Sequence, residues 1–595
     1  MTGGLAHPGG QDGPLRTDLR VLLLAGRPDD PTTDAWAAAL ARTGTPFDVH
    51  PASTAPLTAA DLVHAGRPRH GRYGAVIAGT DSSAFWTSRE VLAAYRRRFG
   101  VRQLRAYEFP RAEDGLAAAA GRPTGGTTAR VSAAGREVLG YLRGTFPLAE
   151  GSYGYPTRVV DPARFTPFLL TPQQEVLAGV LRHDGLEDLL VLVDHDRWMP
   201  HGLLLARGFL GWVTRGHHLG ADRHRFSCHV DDVFIANAAA REGEWVPGEA
   251  VETVRMSPAD VAAVVAFQHR RGFTFDLVYN ARGADAERDP LTASLLADRR
   301  EFRWVNHTWS HRDLGHLTPQ EAATADGWQV QGRDAEGWVG PQLLHEEITR
   351  NRDWGVAAGL DPDPGVLVTG AHSGLDNPHL PAALAGTGTT VIATDASRPR
   401  PGTAIGPAVA VPRHPTNVYT HVTTWAEQLA EHARHYPGAG ARDREEFLAA
   451  ESATVLRHVL TNDPSPTFAH QANLTAERPL LDLVARVLDE HARWVGDSAP
   501  LLSPSTGEVA VELRRRQRWR RALEAGLVHA HHEACAPGPG TVVVTAGTDL
   551  EVPLTVPAGS AATAAGLDAY AGSLSGWLPL AAGDELRVTL PRAAA

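Results

Sequence analysis

Short apolar runs alternate with segments of helical period through most of the chain. Residues 19–25 and 73–79 read as buried strands and 47–50 as a further strand, with amphipathic helices over 34–42 and 88–99, the alternation of an open α/β unit. From 116 to 196 the pattern turns to short β-like runs such as 128–132 and 189–194. The most regular stretch is 223–474, where strand candidates at 225–230, 273–279, 302–305, 366–369, 390–394 and 467–468 are separated by helical segments at 258–271, 318–325, 343–355, 424–435 and 444–460. Each of these strands runs into polar residues: Asp231-Asp232, Asn280, Asn306-His307, His372, Asp395 and His470. Polar side chains collected at strand C-termini are the mark of a (β/α) barrel whose site lies at that rim. Beyond 501 a basic helix over 511–527 precedes alternating runs at 540–545, 550–556 and 585–590, a small all-β pattern.

The predicted fold class is therefore α/β. A flexible tail (1–16) leads into an N-terminal accessory region (17–215), α/β and then β-rich, a distorted (β/α) barrel follows (216–500), and a C-terminal β-rich domain closes the chain (501–595). The Gly3-Gly4 and Gly125-Gly126 pairs sit in no G-x-G-x-x-G frame after a strand and read as linker or turn signals.

Composition narrows the chemistry. All 57 basic residues are arginine, and with no lysine the Schiff-base, PLP and P-loop mechanisms are excluded. The only cysteines, Cys228 and Cys535, are too few for a disulfide framework or a thiolate zinc cage, so a metal would have to sit on His and carboxylate. Net charge is −11 with no long basic run, which argues against nucleic acid as a partner. No run reaches the roughly 18 apolar residues of a membrane span, and the N-terminus lacks the basic and apolar regions of a secretory signal.

Two motifs carry candidate chemistry, His229-Val-Asp-Asp232 and Asn306-His-Thr-Trp-Ser-His311. Adjacent carboxylates at a strand end point to different sides, so one can bind a metal while the other handles protons. Two imidazoles at i and i+4 after a strand can fold back onto one ion, and together the motifs supply the two nitrogens and one oxygen of an open catalytic site. With 28 histidines, roughly one such pair is expected by chance, so it is the joint placement of both motifs at strand ends of one segment that gives them weight.

These motifs, with Thr369-Gly-Ala-His-Ser-Gly-Leu375, Val411-Pro-Arg-His-Pro415 and His470-Gln-Ala-Asn-Leu474, resemble the polysaccharide deacetylase (NodB-type) superfamily, in particular the branch containing the fungal galactosaminogalactan deacetylase. The resemblance covers about 250–280 residues in the middle of the chain and implies metal-dependent de-N-acetylation of amino-sugar residues in a polysaccharide or oligosaccharide. It implies one divalent cation, zinc by default with cobalt, nickel or iron as alternatives, held by Asp232, His307 and His311. It makes Asp231 the general base, His470 the general acid and Arg413 the group that fixes the charge on Asp231. The chain departs from the common pattern in carrying Thr-Gly-Ala-His-Ser-Gly where an Arg-x-Pro motif usually lies, which leaves the oxyanion donor unassigned. In that branch a carbohydrate-binding N-terminal region and a β-rich C-terminal domain flank the barrel, and a polymer substrate implies an extracellular protein.

Further residues are candidates for substrate contact. His372 and Ser373 follow a strand, and His372 reads equally as a pocket residue or a core histidine. Asn473 is either a substrate hydrogen-bond donor or a turn residue, and Trp309 either stacks on a sugar face or packs. The cluster His529-Ala-His-His-Glu-Ala-Cys535 suggests a second metal site but reads better as a solvated helix end. Two rival readings remain: a metal-free glycoside hydrolase using Asp231 or Asp232 as its acid, and a carbohydrate-binding protein that has lost catalysis. Oligomeric state is not legible in the sequence.

Overall fold

The computed structural model describes residues 14–27, 29–79, 87–239, 252–285, 287–324, 327–397, 404–438, 442–534, 538–562 and 565–592. Most of the expected N-terminal tail and Cys535 lie outside the described residues. The chain forms two compact units, one from residues 1–223, 493–500 and 515–595, the other from 224–492 and 501–514. No described helix is long and apolar enough to cross a membrane.

In the first unit a mixed nine-stranded sheet carries both halves of the accessory region. Val21–Ala25, flanked by Phe47–Pro51 and Ala75–Ala78, is parallel to both, and parallel pairing continues through Arg102–Arg105 to Leu186–Val191. From there Val176–His183, Phe165–Leu170, Thr128–Val131 and Thr145–Pro147 pair antiparallel. Val21–Ala25 is buried along its whole length, as a strand covered on both faces requires. Pro31–Thr43, the first helix, starts on an Asp30 side-chain cap with Pro31 in its first turn and stops at left-handed Gly44. The C-terminal strands build two further sheets, which recruit Leu15–Asp18, His70–Gly71 and His218–Leu219.

The second unit is a closed barrel of seven parallel strands: β1 (Cys228–Val233), β2 (Asp276–Tyr279), β3 (Arg303–Asn306), β4 (Val366–Val368), β5 (Val391–Asp395), β6 (Ala408–Pro415) and β7 (Thr467–His470). Each strand pairs with the next, and β7 returns to β1. Period-two alternation sorts its side chains. Val278, Val305, Val366, Val368, Val391 and Val411 form one buried cluster with Val509 and Ala510, whereas Leu367, Ile392 and Ala408 pack against Leu344, Ile348, Leu380 and Leu384 of the surrounding helices. Helix starts are well marked by capping boxes at Ser257/Asp260, Thr424/Glu427 and Asp443/Glu446.

Some expectations need correction. The basic helix spans Thr506–Glu524 and not 511–527, because the Ser505 and Glu508 side chains cap an earlier start. Residues 529–534 are not a helix end. They belong to strand Val528–Ala534, paired on one side with Leu15–Asp18 and on the other with Thr541–Ala546.

Candidate active site

All seven barrel strands point their C-terminal ends at one rim, and the polar residues read from the sequence meet there. β1 does not end cleanly before its carboxylates. The pairing register slips between Val230 and Val233, and Asp232 adopts a left-handed backbone (φ +68°), as does Phe234 (φ +81°). The twist turns Asp231 toward β6 and β7 and Asp232 toward the segment after β3. Thr308, His311, Ala371 and His372 also have positive φ, so six non-glycine residues in this conformation cluster on the rim. Such strain persists only where the surroundings over-determine it.

Those surroundings are identifiable. Asn280 donates to the carbonyls of His307 (2.6 Å) and Thr308 (3.0 Å). Asn306 accepts from the Thr308 amide (3.0 Å) and from Asn351 Nδ2 (2.7 Å). The buried Glu347 carboxylate takes the Ser310 amide (2.8 Å) and hydroxyl (2.6 Å). Together they force the chain after β3 to turn back. Gly370 permits the passage, since a Cβ there would lie 2.9 Å from the His311 carbonyl carbon.

The result is a convergence on Asp232. Its Oδ1 lies 3.0 Å from His311 Nε2 and 3.4 Å from His307 Nε2, and the three donor atoms fall within 4.8 Å of one another. Asp232 Oδ2 accepts from Asn237 Nδ2 (2.5 Å), itself held by Gln471 Nε2 (2.7 Å). His307 Nδ1 faces the Val368 carbonyl at 3.1 Å, so it carries the proton and Nε2 presents a lone pair. Buried Asp232 Oδ1 and His307 Nε2 have no hydrogen-bond partner. Two acceptors buried face to face are unfavourable unless a cation lies between them, and two imidazoles with one carboxylate form an open zinc-type donor set. The residues therefore fit a divalent metal ion.

Asp231 is held separately. Arg413, fully buried, grips it with two bonds, Nη1 to Oδ1 at 2.7 Å and Nη2 to Oδ2 at 2.9 Å. Burial alone would raise the Asp231 carboxyl, but the guanidinium overrides it and holds the group well below the ordinary carboxylate range. Arg413 is fixed in turn: it lies 4.4 Å over the Phe468 ring, with Nη1 3.3 Å from His229 Nδ1 and Nη2 3.3 Å from His372 Nδ1. Burial and the adjacent guanidinium push His372 down to about 3, so it is neutral. His470 is the register partner of Asp231 on β7. Burial lowers its pKa against the pull of both carboxylates, and its Nδ1 is buried without a partner.

The remaining candidates divide. The Trp309 ring lies under the Arg350 guanidinium at 4.0 Å, and Trp309 NH binds the Glu347 carbonyl. Ser373 spends its hydroxyl on the Leu314 amide and Gly370 carbonyl, while Asn473 spends its amide on His470 NH and the Tyr419 and Val422 carbonyls. Substrate contact is thus not the geometry of either residue: both scaffold the rim loops. The sequence reading assigned no role to His229, Asn237 or Thr506, which brace the site. Of these only His229 lay in a motif, and Thr506, 277 residues away, has no local signal.

The chain superposes on the crystal structure of Agd3, described as a novel carbohydrate deacetylase, with a TM-score of 0.79, covering 97% of this chain and 99% of that one at 18% identity. It has the fold of Agd3. This is the architecture that the sequence resemblance implied. Over 314 residues the chain is 24% identical to mouse bifunctional heparan sulfate N-deacetylase/N-sulfotransferase 1, and 24% identical to the human enzyme 2, in each case 50% of this chain and 30% of the relative. The chain thus spans less than a third of the length of these curated relatives. No protein-family model matches it.

Proposed function

We propose that this chain is a metal-dependent hydrolase that removes N-acetyl groups from amino-sugar residues of a polysaccharide or oligosaccharide. The observation that carries the reading is the pair of unpartnered buried atoms, Asp232 Oδ1 and His307 Nε2, facing each other beside a carboxylate already neutralised by arginine. Likeness in fold to a carbohydrate deacetylase and partial identity to N-deacetylases support it.

Asp232, His307 and His311 would hold one divalent cation, zinc by default. Bound there, the ion supplies Lewis acidity toward an acetamide carbonyl and lowers the pKa of water. The protein's own groups move the protons. Asp231, kept ionised by Arg413, accepts a proton from water as its oxygen bonds to the acetyl carbon. Arg413 keeps that carboxylate from turning toward the ligand set. His470, on the strand paired with that of Asp231, would take up that proton and deliver it to the nitrogen as the C–N bond breaks, which returns Asp231 to its carboxylate; without it an amide nitrogen is a very poor leaving group. Acetate and a free amino sugar leave. A glycosidase acid must be protonated near neutrality, and the Arg413 grip on Asp231 opposes that role.

The test is acetate release from a panel of N-acetylated hexosamine oligomers. Activity should vanish after chelation, return with Zn2+ or Co2+, and be absent in Asp231→Asn and His307→Ala. Reducing-end formation that survives chelation would replace this reading with glycoside hydrolysis.

A further inference from the structure

A second constellation of the same donor types lies in the other compact unit. Strand Leu15–Asp18 runs parallel to His70–Gly71 and antiparallel to Val528–Ala534, with Asp18 opposite His531. Between 64 and 70 the chain closes on itself. His64 NH binds the His70 carbonyl at 3.0 Å, Arg67 NH binds His64 O at 3.1 Å, and Gly66 supplies the left-handed turn (φ +68°). Two histidines six positions apart are thereby brought onto one carboxylate. His64 Nε2 is 2.8 Å from Asp18 Oδ2 and His70 Nε2 is 2.7 Å from Oδ1. All three donor atoms lie within 4.8 Å of one another.

Ring orientation separates this cluster from another of the same composition, His414, His458 and Asp463. An imidazole donates its lone pair in the ring plane. The His414 and His458 rings are stacked 3.6 Å apart at 14°, so their lone pairs lie in nearly parallel planes and do not converge on one ion. The His64 and His70 rings, 4.6 Å apart, are inclined at 55°, and each turns its Nε2 to one oxygen of the same Asp18 carboxylate. The His64, His70 and Asp18 side chains are 33%, 14% and 28% exposed, so water can reach the site and complete a four-coordinate shell. The His531 ring lies 5.6 Å from that of His70.

We propose that Asp18, His64 and His70 form a second site for a divalent transition-metal ion of the zinc class. The ion would replace the protons now shared between the imidazoles and Asp18, and would pin the 64–70 turn to the strand that pairs with Val528–Ala534. Its role is structural: nothing in the cluster belongs to the deacetylation machinery, and the site stands whether or not the proposed hydrolysis is correct.

The deciding experiment uses the full chain carrying His307→Ala and His311→Ala, so that the barrel donors are gone. After chelator treatment and desalting it is titrated with Co2+ and read by tetrahedral d–d absorption and by metal analysis. One Co2+ per chain is expected. Adding Asp18→Asn with His70→Gln, which keep side-chain volume, should abolish it. In the otherwise native chain His64→Gln should lower metal content by one ion per chain and leave acetate release unchanged. The proposal is overturned if the His307/His311 variant binds no Co2+, or if its binding survives the Asp18 and His70 replacements.

Discussion

The link between Thr506 and the proposed catalytic base can be broken with a single isosteric change. Arg413 only donates, so His229 Nδ1, 3.3 Å from Arg413 Nη1, must accept, and the proton on this ring must sit on Nε2. That N–H is directed at Thr506 Oγ1, 3.1 Å away, and both side chains are buried. Thr506→Val removes the acceptor without opening space and strands a buried N–H. The penalty for such a group is about 1–3 kcal/mol, or about 5- to 150-fold in the folding equilibrium. The imidazole can escape part of this only by moving its proton to Nδ1, which then confronts the guanidinium that holds Asp231. We therefore expect urea denaturation to show a lower midpoint at unchanged m, and acetate-release kinetics to show kcat reduced about tenfold with KM little altered, the signature of a contact felt in the transition state. Thr506→Ser should restore both. A Thr506→Val protein that is destabilised yet keeps native kcat would show that His229 merely packs. One with native stability would show that the hydrogen bond contributes nothing.

Other expectations follow from the same geometry. Asp231→Asn should cost at least about 10²–10⁴-fold in kcat while metal content, measured on the purified protein, stays at the native level. Glu347→Ala frees the Ser310 amide and hydroxyl and should loosen the His311 segment, weakening metal affinity by about 10–100-fold in competition with a chromogenic chelator. Arg413→Ala would leave the Asp231 carboxylate buried without its partner and should destabilise the barrel by about 3–5 kcal/mol in the same denaturation assay. For acid stability, buried His218 and His491 are both pushed down to about 3 in the folded protein by desolvation, against about 6.5 in the unfolded chain. A folded pKa below the unfolded one means that stability is complete above about pH 6.5 and is lost as the pH falls toward 3, by about 2 kcal/mol per histidine between pH 7 and 5. Melting curves of His218→Gln and His491→Gln should show a shallower decline over that interval.

Much of the barrel was legible in the sequence. Its strands are short apolar runs stopped by Asp231, Asn280, His307, Asp395 and His470, and its helices are announced by capping boxes, so local chemistry and final structure agree. What failed has physical causes. The 529–534 segment, with its four polar side chains, lacks the apolar alternation of a strand, and its strand state is imposed by partners more than 500 residues and about 10 residues away. No sequence period announces the positive φ of Asp232, which aims the two carboxylates apart. Asn473 reads as either a substrate donor or a turn residue, and Ser373 as a substrate contact, because polarity at a strand end does not say whether a side chain faces a ligand or the backbone. The Arg413 and Asp231 pairing joins strands 182 residues apart and was suggested only by family resemblance.

Because Leu15–Asp18 hydrogen-bonds to Val528–Ala534, one of its two partner strands is synthesised about 510 residues after it. At about 5–20 residues per second Leu15–Asp18 waits roughly half a minute to nearly two minutes, by which time the barrel unit, which ends at residue 514, has been synthesised. Maturation should therefore run from the middle outward: a chain halted just after residue 514 has emerged would carry a formed barrel and an incomplete sheet, open to proteolysis on its unpaired edge.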